Sequence, residues 1–372
     1  MLHLITHLFN DRADGPGVLR TKLTTLYVIL LAANLGAWCW AWIVFRDHPG
    51  LLATSVLAWT LGLRHAVDAD HIAAIDTATR KLVQEGKQPI GAGFFFALGH
   101  STVVTLIALA VCFAAATLTT HFDAMKSVGS VIGTIVSASY LFLLALFNVG
   151  ILVPAVRNFR AAQRGEALRP EGLEVLGGGL LARLFRPLVR LTARSWQMYP
   201  VGFLFGLGFD TASEVALFGL AALELAKGAP VWSVMVFPAL FAAGMALVDT
   251  LDGTLMLGAS SWARQRPIRK LFYNLTITLV SVLVASGVAA VETLGLVRER
   301  LDLNGWFWDR VGALNAHFGT LGYVIIALFL GTWLVALAVY RFRRYDDIDV
   351  VLAPPPGRPA RHECLASPGV HP

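Results

Sequence analysis

Long stretches without charge are the feature that most constrains this chain of 372 residues. Apolar runs of about twenty residues recur along it, and a helix needs about 20 apolar residues to cross the hydrocarbon core of a bilayer. Hydrophobic residues make up 56% of the sequence and charged residues only 15%, against about 25% charged residues in ordinary soluble domains. We therefore predict an all-α polytopic membrane protein and exclude a cytosolic enzyme.

Apolar windows predict about eight transmembrane helices, which we number as segments 1 to 8. They cover residues 25–44, 51–79, 90–118, 128–156, 199–226, 231–261, 271–291 and 321–340. The chain then divides into five parts. These are an N-terminal segment (1–24), helices 1–4 (25–156), a basic linker (157–196), helices 5–8 (197–341) and a tail (342–372) that we expect to be disordered.

The basic residues indicate on which side of the membrane each loop lies. Most of the 30 Lys and Arg residues fall in alternate loops, which the positive-inside rule places in the cytoplasm. The other loops hold Arg46, Lys126, Lys227, Arg298, Arg300 and Arg310. Both termini are therefore predicted to be cytoplasmic, in a protein of the inner membrane. The net charge of +6 then reflects topology, so we expect the lipid bilayer and no nucleic acid as a partner.

Charged side chains inside a bilayer are costly and tend to mark ion or substrate pathways. Segment 2 contains Arg64, His65, Asp68, Asp70, His71 and Asp76, and segments 3, 5 and 6 contain His100, Asp210 with Glu214, and Asp249 with Asp252. Carboxylates thus outnumber the single arginine, an excess that favours a bound cation. Imidazole and carboxylate ligands without thiolate suit a divalent ion such as Ni²⁺, Co²⁺ or Zn²⁺.

The spacing within segment 2 indicates how such a site is built. If the segment is a regular helix, His65, Asp68 and His71 share one face over less than two turns and can chelate a metal. Arg64 and Asp68 are placed to pair at i,i+4, and Asp70 is placed to orient a ligand. The alternative, a structural hydrogen-bond network, is a costly way to pack such groups inside a membrane.

Four strings resemble the motifs of the nickel/cobalt transporter family, in the family's order. They are Arg64-His65-Ala66-Val67-Asp68-Ala69-Asp70-His71-Ile72, the stretch 95–104 around His100, the stretch 207–214 and the stretch 244–252. Ser213 stands where the family pattern usually has threonine, and both residues carry a hydroxyl. The resemblance implies eight membrane segments and high-affinity secondary uptake of Ni²⁺ and/or Co²⁺, with no enzymatic activity and no resident cofactor.

The resemblance also implies roles for individual residues, above all metal contact by His65, Asp70 and His71. Together with the spacing argument, the predicted metal-binding set is His65, Asp68, Asp70, His71 and His100. The residues predicted to line the pathway or to support the ligands are Arg64, Asp76, Asp210, Glu214, Met245, Asp249 and Asp252.

Other functions stay open at this point. The chain could carry Zn²⁺ or Mn²⁺, or export metal, although the lack of a histidine-rich loop weakens the efflux interpretation. His65 and Asp70 also match the H-x4-D dyad of glycerolipid acyltransferases, in which the histidine is the general base and the aspartate orients it. That dyad does not use His71.

The two halves of the chain show a weak internal similarity. Aligning Leu61-Gly62-Leu63 with Leu207-Gly208-Phe209 places Asp68 opposite Glu214, and Gly99-His100 then matches Gly244-Met245. Because segments 2 and 5 run in opposite directions in the predicted topology, this alignment predicts an inverted repeat of helices 2–3 and 5–6. The metal site would then lie at mid-membrane, near the pseudo-two-fold axis.

Overall fold

A computed structural model describes residues 9–12, 14–114, 122–164, 192–208, 212–263 and 267–342. Regular structure in these residues is entirely helical. The helices are α1 (Pro16–Phe45), α2 (Pro49–His65), α3 (Ala69–Gln84), α4 (Ala92–Ala114), α5 (Phe122–Gln163), α6 (Met198–Gly206), α7 (Ala212–Ala226), the single turn α8 (Val231–Val234), α9 (Val236–Ala263), α10 (Pro267–Arg300), α11 (Trp306–Ala316) and α12 (Phe318–Phe342). The predicted tail and most of the predicted linker lie outside the described residues.

Five helical stretches of the described chain are long and apolar enough to cross a bilayer, and a bent pair makes a sixth. They are Pro16–Phe45, Ala92–Cys112, Ser130–Gly150, Val231–Ala259 and Leu275–Arg300, with Trp306–Ala316 and Phe318–Thr332 meeting at 78°. These stretches correspond to predicted segments 1, 3, 4, 6, 7 and 8. The all-helical membrane class is thus confirmed, whereas the count of eight transmembrane helices stays a prediction.

Segments 2 and 5 are broken, so the regular helix assumed for segment 2 in the spacing argument is not present. That segment consists of α2 and α3 with a non-helical link at residues 66–68. In segment 5, α6 ends at Gly206 and α7 begins at Ala212. Apolar windows find the position of a membrane segment but are insensitive to a three-residue interruption within it, so composition gave no sign of either break.

Helix α3 occupies the centre of the molecule. It packs against α4, α5, α9, α10 and α12, and nearly all of its side chains are buried. Ile72 and Ile75 join Phe96 of α4 and Phe205 of α6 in the main apolar cluster. The polar residues of α3 therefore face protein rather than lipid, as charged groups in a bilayer require.

Three stretches predicted to be cytoplasmic meet at one end of the molecule. The Asp11 carboxylate accepts hydrogen bonds from the Ser195 backbone N–H at 2.7 Å and from its hydroxyl at 2.5 Å. Lys87, in the loop after α3, donates to the Ala193 carbonyl at 2.7 Å. Burial raises the pKa of the Asp11 carboxyl above its usual range, despite these hydrogen bonds. The N-terminal segment, the loop after α3 and the stretch before α6 thus share one side of the fold.

Helices α2 and α9 cross at two glycines that allow their backbones to touch. A Cβ atom on Gly62 of α2 would overlap the carbonyl oxygen of Phe241 on α9. In return, a Cβ atom on Gly244 of α9 would come within 2.8 Å of the Trp59 carbonyl oxygen on α2. On each helix, the glycine lies three residues after the residue whose carbonyl oxygen faces the glycine of the other helix. Gly62 follows Trp59 on α2, and Gly244 follows Phe241 on α9.

Helices α4 and α6 cross in the same manner. A Cβ atom on Gly99 of α4 would overlap the carbonyl oxygen of Tyr199 on α6, and a Cβ atom on Gly202 of α6 would overlap that of Phe96 on α4. The spacing of three residues between carbonyl and glycine is the same as in the α2–α9 crossing. The described part of the chain thus contains two close helix crossings with the same arrangement of glycines and carbonyls.

Candidate metal-binding site

The break in segment 2 sets the geometry of the site. Helix α2 ends as Val67 N–H and Asp68 N–H turn back to the carbonyls of Arg64 and His65, at 3.1 and 2.9 Å. Asp68 then adopts an extended backbone (φ −65°, ψ 147°) at the N-terminal boundary of α3. As a result, His65 at the end of α2 and a histidine in the first turn of α3 face the same point.

Three imidazoles form a buried triangle at this point. The ring centroids of His65, His71 and His100 are 4.7 to 4.9 Å apart in all three pairs. One nitrogen from each ring can be chosen so that all three lie within 4.8 Å of one another. None of the three residues is more than 3% exposed. The triangle can therefore enclose one metal ion.

Carboxylates orient two of the rings. Nδ1 of His65 lies 3.0 Å from Asp68 Oδ2, and Nδ1 of His71 lies 3.3 Å from both carboxylate oxygens of Asp249. A carboxylate at Nδ1 favours a proton on that nitrogen and leaves Nε2 to bind the metal. The Nε2 atom of His71 is buried and has no hydrogen bond with the described residues, so it is available as a metal ligand.

The third imidazole completes a mixed nitrogen and oxygen donor set. Nε2 of His100 lies 3.0 Å from Nε2 of His65 and 3.1 Å from Oε1 of Glu214. The 3.0 Å separation between the two Nε2 atoms is that of a hydrogen bond between the rings, and it places both nitrogens close enough to contact one ion.

A cavity of about 420 Å³ opens above the triangle. Predicted residues on its wall are Arg64, His65, Asp68, Asp70, His100 and Glu214. One carboxylate oxygen each of Asp68 and Asp70 is buried without a hydrogen bond from the described residues. The Arg64 guanidinium donates to the Ser213 hydroxyl and lies 3.9 Å from Asp68 Oδ1. The i,i+4 pairing of Arg64 with Asp68 is thus present, although long.

A second arginine, Arg80, pairs with one of the acidic groups, so Arg64 is not the only arginine among them. The Arg80 guanidinium, predicted to be in a cytoplasmic loop, is 3% exposed and binds Asp76 through two nitrogens at 2.7 to 2.9 Å. Ser281 of α10 donates to the same carboxylate at 3.2 Å, and the Phe329 ring lies 4.8 Å below the guanidinium. The acidic excess is therefore smaller than the sequence indicated.

The remaining predicted residues are spread more widely. Asp249 reaches the triangle through His71, whereas Asp252, one turn further along α9, has a buried Oδ2 without a hydrogen bond from the described residues. Met245 is buried in the apolar cluster around α9 and lines no part of the cavity. Asp210 lies outside the described residues. Sequence reasoning missed Arg80 and also Glu292, which lines the cavity.

Comparison with known proteins relates the chain to a family of transport proteins. The family model described as high-affinity nickel-transport protein matches residues 51–339. The chain is 54% identical to a high-affinity nickel transport protein of Cupriavidus necator over 91% of this chain and 97% of that protein. It is also 41% identical to a nickel transporter of Staphylococcus aureus, over 87% of this chain and 95% of the relative.

A third relative is named for another ion. The chain is 40% identical to a cobalt transport protein of Rhodococcus rhodochrous, over 85% of this chain and 89% of that protein. No solved structure matches the chain. The family match covers most of the chain, including His65, His71 and His100. The chain therefore belongs to the high-affinity nickel-transport family.

Proposed function

We propose that this protein is a secondary carrier that takes up Ni²⁺, and also Co²⁺, across the inner membrane with high affinity. The observation that carries the proposal is the buried triangle of His65, His71 and His100 at the base of an acidic cavity. Neutral imidazole is a good ligand for Ni²⁺ and Co²⁺ and a poor one for Mg²⁺ and Ca²⁺. The names of the relatives support the same two ions.

Zn²⁺ and Mn²⁺ are the alternative candidates for the transported ion. Zn²⁺ prefers tetrahedral coordination, for which two nitrogens at about 2.1 Å would be about 3.4 Å apart. The 3.0 Å separation between Nε2 of His65 and Nε2 of His100 is that of a hydrogen bond between the rings, so it does not choose between coordination geometries. Mn²⁺ favours oxygen ligands over three imidazoles. The donor set therefore disfavours Mn²⁺, and the names of the relatives favour Ni²⁺ and Co²⁺ over Zn²⁺.

The acyltransferase alternative fits the structure less well. That mechanism needs Asp70 to orient His65, whereas the carboxylate at Nδ1 of His65 belongs to Asp68. Nε2 of His65, which would act as the base, faces His100 at 3.0 Å. The base would therefore be directed at another imidazole and not at a substrate hydroxyl.

We further propose that the two broken segments each cross the membrane, which gives eight crossings with both termini in the cytoplasm. The positive-inside distribution supports this topology, and so do the contacts that join Asp11, Lys87 and the stretch before α6 on one side. With this orientation the cavity opens to the outside, because α11 and the end of α10 form its mouth.

The paired crossings support an inverted repeat, with a register different from the one the sequence predicted. The crossing of α2 on α9 matches that of α6 on α4 when Gly62 corresponds to Gly202 and Gly244 to Gly99. The sequence alignment instead paired Gly62 with Gly208. In the new register Asp68 corresponds to Gly208 rather than to Glu214. Carriers with inverted repeats and broken helices expose a central binding site first to one side of the membrane and then to the other.

The proposed cycle starts from a site open to the outside and closed to the cytoplasm. On the cytoplasmic side, the buried pair of Asp76 and Arg80 joins α3 to α10 and α12. The ion exchanges water for imidazole and carboxylate, and the repeats then move so that it leaves past Asp249 and Asp252. A membrane potential of 100 mV supplies about 4.6 kcal/mol for two inward charges, twice the value for one.

Accumulation of radioactive Ni²⁺ in cells tests this function. We expect cells expressing the protein to accumulate Ni²⁺ at nanomolar concentrations above the vector control, and unlabelled Co²⁺ to compete more strongly than Zn²⁺ or Mn²⁺. Accumulation equal to the vector control, or inhibition by Zn²⁺ alone, would overturn the proposal.

A further inference from the structure

A second cavity lies at the C-terminal end of α3, whereas the imidazole triangle lies at the N-terminal end of this helix. Its volume is about 820 Å³, and residues before α1, before α4 and before α6 line it. Arg12, Lys87 and Arg194 are on its wall, against one carboxylate, that of Asp11. The described wall of this cavity therefore carries an excess of positive charge.

Hydrogen bonds fix the backbone on both sides of this cavity. Ser195 donates to both carboxylate oxygens of Asp11, from its backbone N–H at 2.7 Å and from its hydroxyl at 2.5 Å. These two residues directly adjoin Arg194 and Arg12 in the sequence. The Gln88 backbone N–H also donates to the Asp11 carbonyl at 2.9 Å. The two arginines are thus held on one cavity although they are far apart in the chain.

The two arginines carry the uncompensated charge of the cavity. Both residues are exposed, and neither guanidinium pairs with a carboxylate of the described residues. In contrast, Lys87 pairs with Glu85 at 2.5 Å, and the Asp11 carboxylate is bonded to Ser195. A guanidinium presents its N–H donors in a planar fork that matches the oxygens of a phosphate. The cavity therefore has the donors and the charge to bind a phosphate group.

The cavity lies close to the membrane surface, which favours a lipid phosphate over a free one. Arg12, Lys87 and Arg194 lie four or five residues before the first residues of α1, α4 and α6. Helices α1 and α4 are long and apolar enough to cross a bilayer, and α6 begins predicted segment 5. The basic side chains are therefore near the level of the lipid headgroups.

Aromatic side chains form an apolar part of the wall. Phe9 packs edge-on against Phe95, with 4.6 Å between the ring centroids, and both residues line the cavity. Trp196 also lines it and is 50% exposed. Tryptophan is enriched where a membrane protein meets the headgroup region. A free phosphate ion gains nothing from an apolar wall, whereas the glycerol and the upper acyl chain of a lipid pack against it.

We propose that this cavity binds the headgroup of an anionic phospholipid, with Arg12 and Arg194 as the ligands of its phosphate. Two uncompensated positive charges favour a headgroup of net negative charge over a zwitterionic one. Basic pockets beside membrane helices on the cytoplasmic side bind anionic headgroups in this way. The bound lipid joins the stretch before α1 to the stretch before α6. This site does not depend on which ion the protein carries.

Thermal unfolding of the purified full-length protein in detergent tests the site, with phosphatidylglycerol as the probe. Phosphatidylcholine and inorganic phosphate are the comparison ligands. The variants are Arg194→Gln and the double variant Arg12→Gln with Arg194→Gln. The matched control is Arg20→Gln with Arg157→Gln, because these arginines are also exposed in stretches predicted to be cytoplasmic but line no part of the cavity. The control measures the general attraction of basic residues on this side for anionic lipid.

We expect phosphatidylglycerol to raise the unfolding temperature of the wild-type protein at concentrations at which phosphatidylcholine and inorganic phosphate do not. The concentration for half of this shift should rise about fivefold for Arg194→Gln and about 25-fold for the double variant. The control should keep the wild-type value. Without lipid, all variants should unfold close to the wild-type temperature, because the substituted arginines pair with no carboxylate of the described residues.

Four results would overturn the proposal. These are no shift with phosphatidylglycerol, an unchanged response in the double variant, an equal loss of response in the control, and a shift with inorganic phosphate as large as that with the lipid. The last two would indicate general surface attraction and a soluble anion, respectively. None of these results bears on Ni²⁺ uptake, so failure of this inference leaves the proposed function standing.

Discussion

In the metal site that we propose, single residues should determine how tightly the imidazole triangle holds an ion. Asp249 is completely buried, and its carboxylate oxygens lie 3.3 Å from Nδ1 of His71. A carboxylate in this position fixes the orientation of the ring and makes its other nitrogen a stronger ligand. Asp68 does the same for His65 at 3.0 Å. We therefore expect the ligand strength of the proposed site to depend on these aspartates as well as on the histidines.

Asp249→Asn tests this support directly. The amide keeps the shape of the side chain and can still accept a hydrogen bond from Nδ1–H, but it lacks the negative charge. We expect the affinity for Ni²⁺ to fall about 10- to 100-fold, measured as the KM of Ni²⁺ uptake in cells. Asp309→Asn, at an exposed position of α11, is the control. An unchanged KM for Asp249→Asn would show that Asp249 does not support the site.

At the scale of helices, two structural features lie beyond the reach of sequence patterns. The apolar windows locate segments 2 and 5 but not the breaks within them. The break at residues 66–68 brings the ring centroids of His65 and His71 to 4.7 Å from each other. Likewise Arg80 reads as a loop residue because Lys81 and Lys87 follow it. Its burial depends on a carboxylate one turn earlier and on helices α10 and α12, which are distant in the sequence.

The buried pair of Asp76 and Arg80 gives a prediction for stability. Arg80→Gln leaves the Asp76 carboxylate buried without its cation, which costs about 3–5 kcal/mol for a buried pair. We expect a large fall in thermal stability of the purified protein in detergent. The double variant Asp76→Asn with Arg80→Gln removes both charges and should recover most of the loss. Equal stability of the single and double variants would contradict this interpretation.

The glycine crossings give a second prediction at this scale. Gly62→Ala and Gly202→Ala place a methyl group against the backbone of the facing helix, and overpacking of this kind costs about 1–3 kcal/mol. Gly36→Ala and Gly219→Ala meet no atom within 4 Å of the added methyl and serve as controls. Stability of the purified protein in detergent should fall for the first pair only. A similar fall in the controls would show that the crossings are not unusually tight.

At the scale of the whole molecule, the sequence selects most residues of the candidate site but not their arrangement. The motif resemblance selected His65, His71 and His100, which the fold brings together. It could not select Glu292, because its partner Ser137 is 155 residues away and neither lies in a motif. The repeat register that we propose also differs from the one that the sequence predicts, because the matching contacts join glycines to backbone carbonyls and leave few identical residues.

Topology is tested by chemical labelling of the whole carrier. In a background without the native cysteines, Glu299→Cys at the cavity mouth should react with a membrane-impermeant maleimide in intact cells. Arg194→Cys, exposed just before α6 at the opposite end, should react only after permeabilisation. The reverse pattern would mean that the cavity faces the cytoplasm and that the proposed direction of uptake is wrong.

The central claim is that three imidazoles bind the transported ion, and X-ray absorption spectroscopy of the purified protein loaded with Ni²⁺ tests it most directly. We expect the spectrum to show three imidazole ligands together with oxygen, and one imidazole fewer in His71→Ala. His317→Ala, which removes an exposed histidine between α11 and α12, should leave the spectrum unchanged. A spectrum with oxygen ligands alone, or one that His71→Ala does not alter, would contradict the claim.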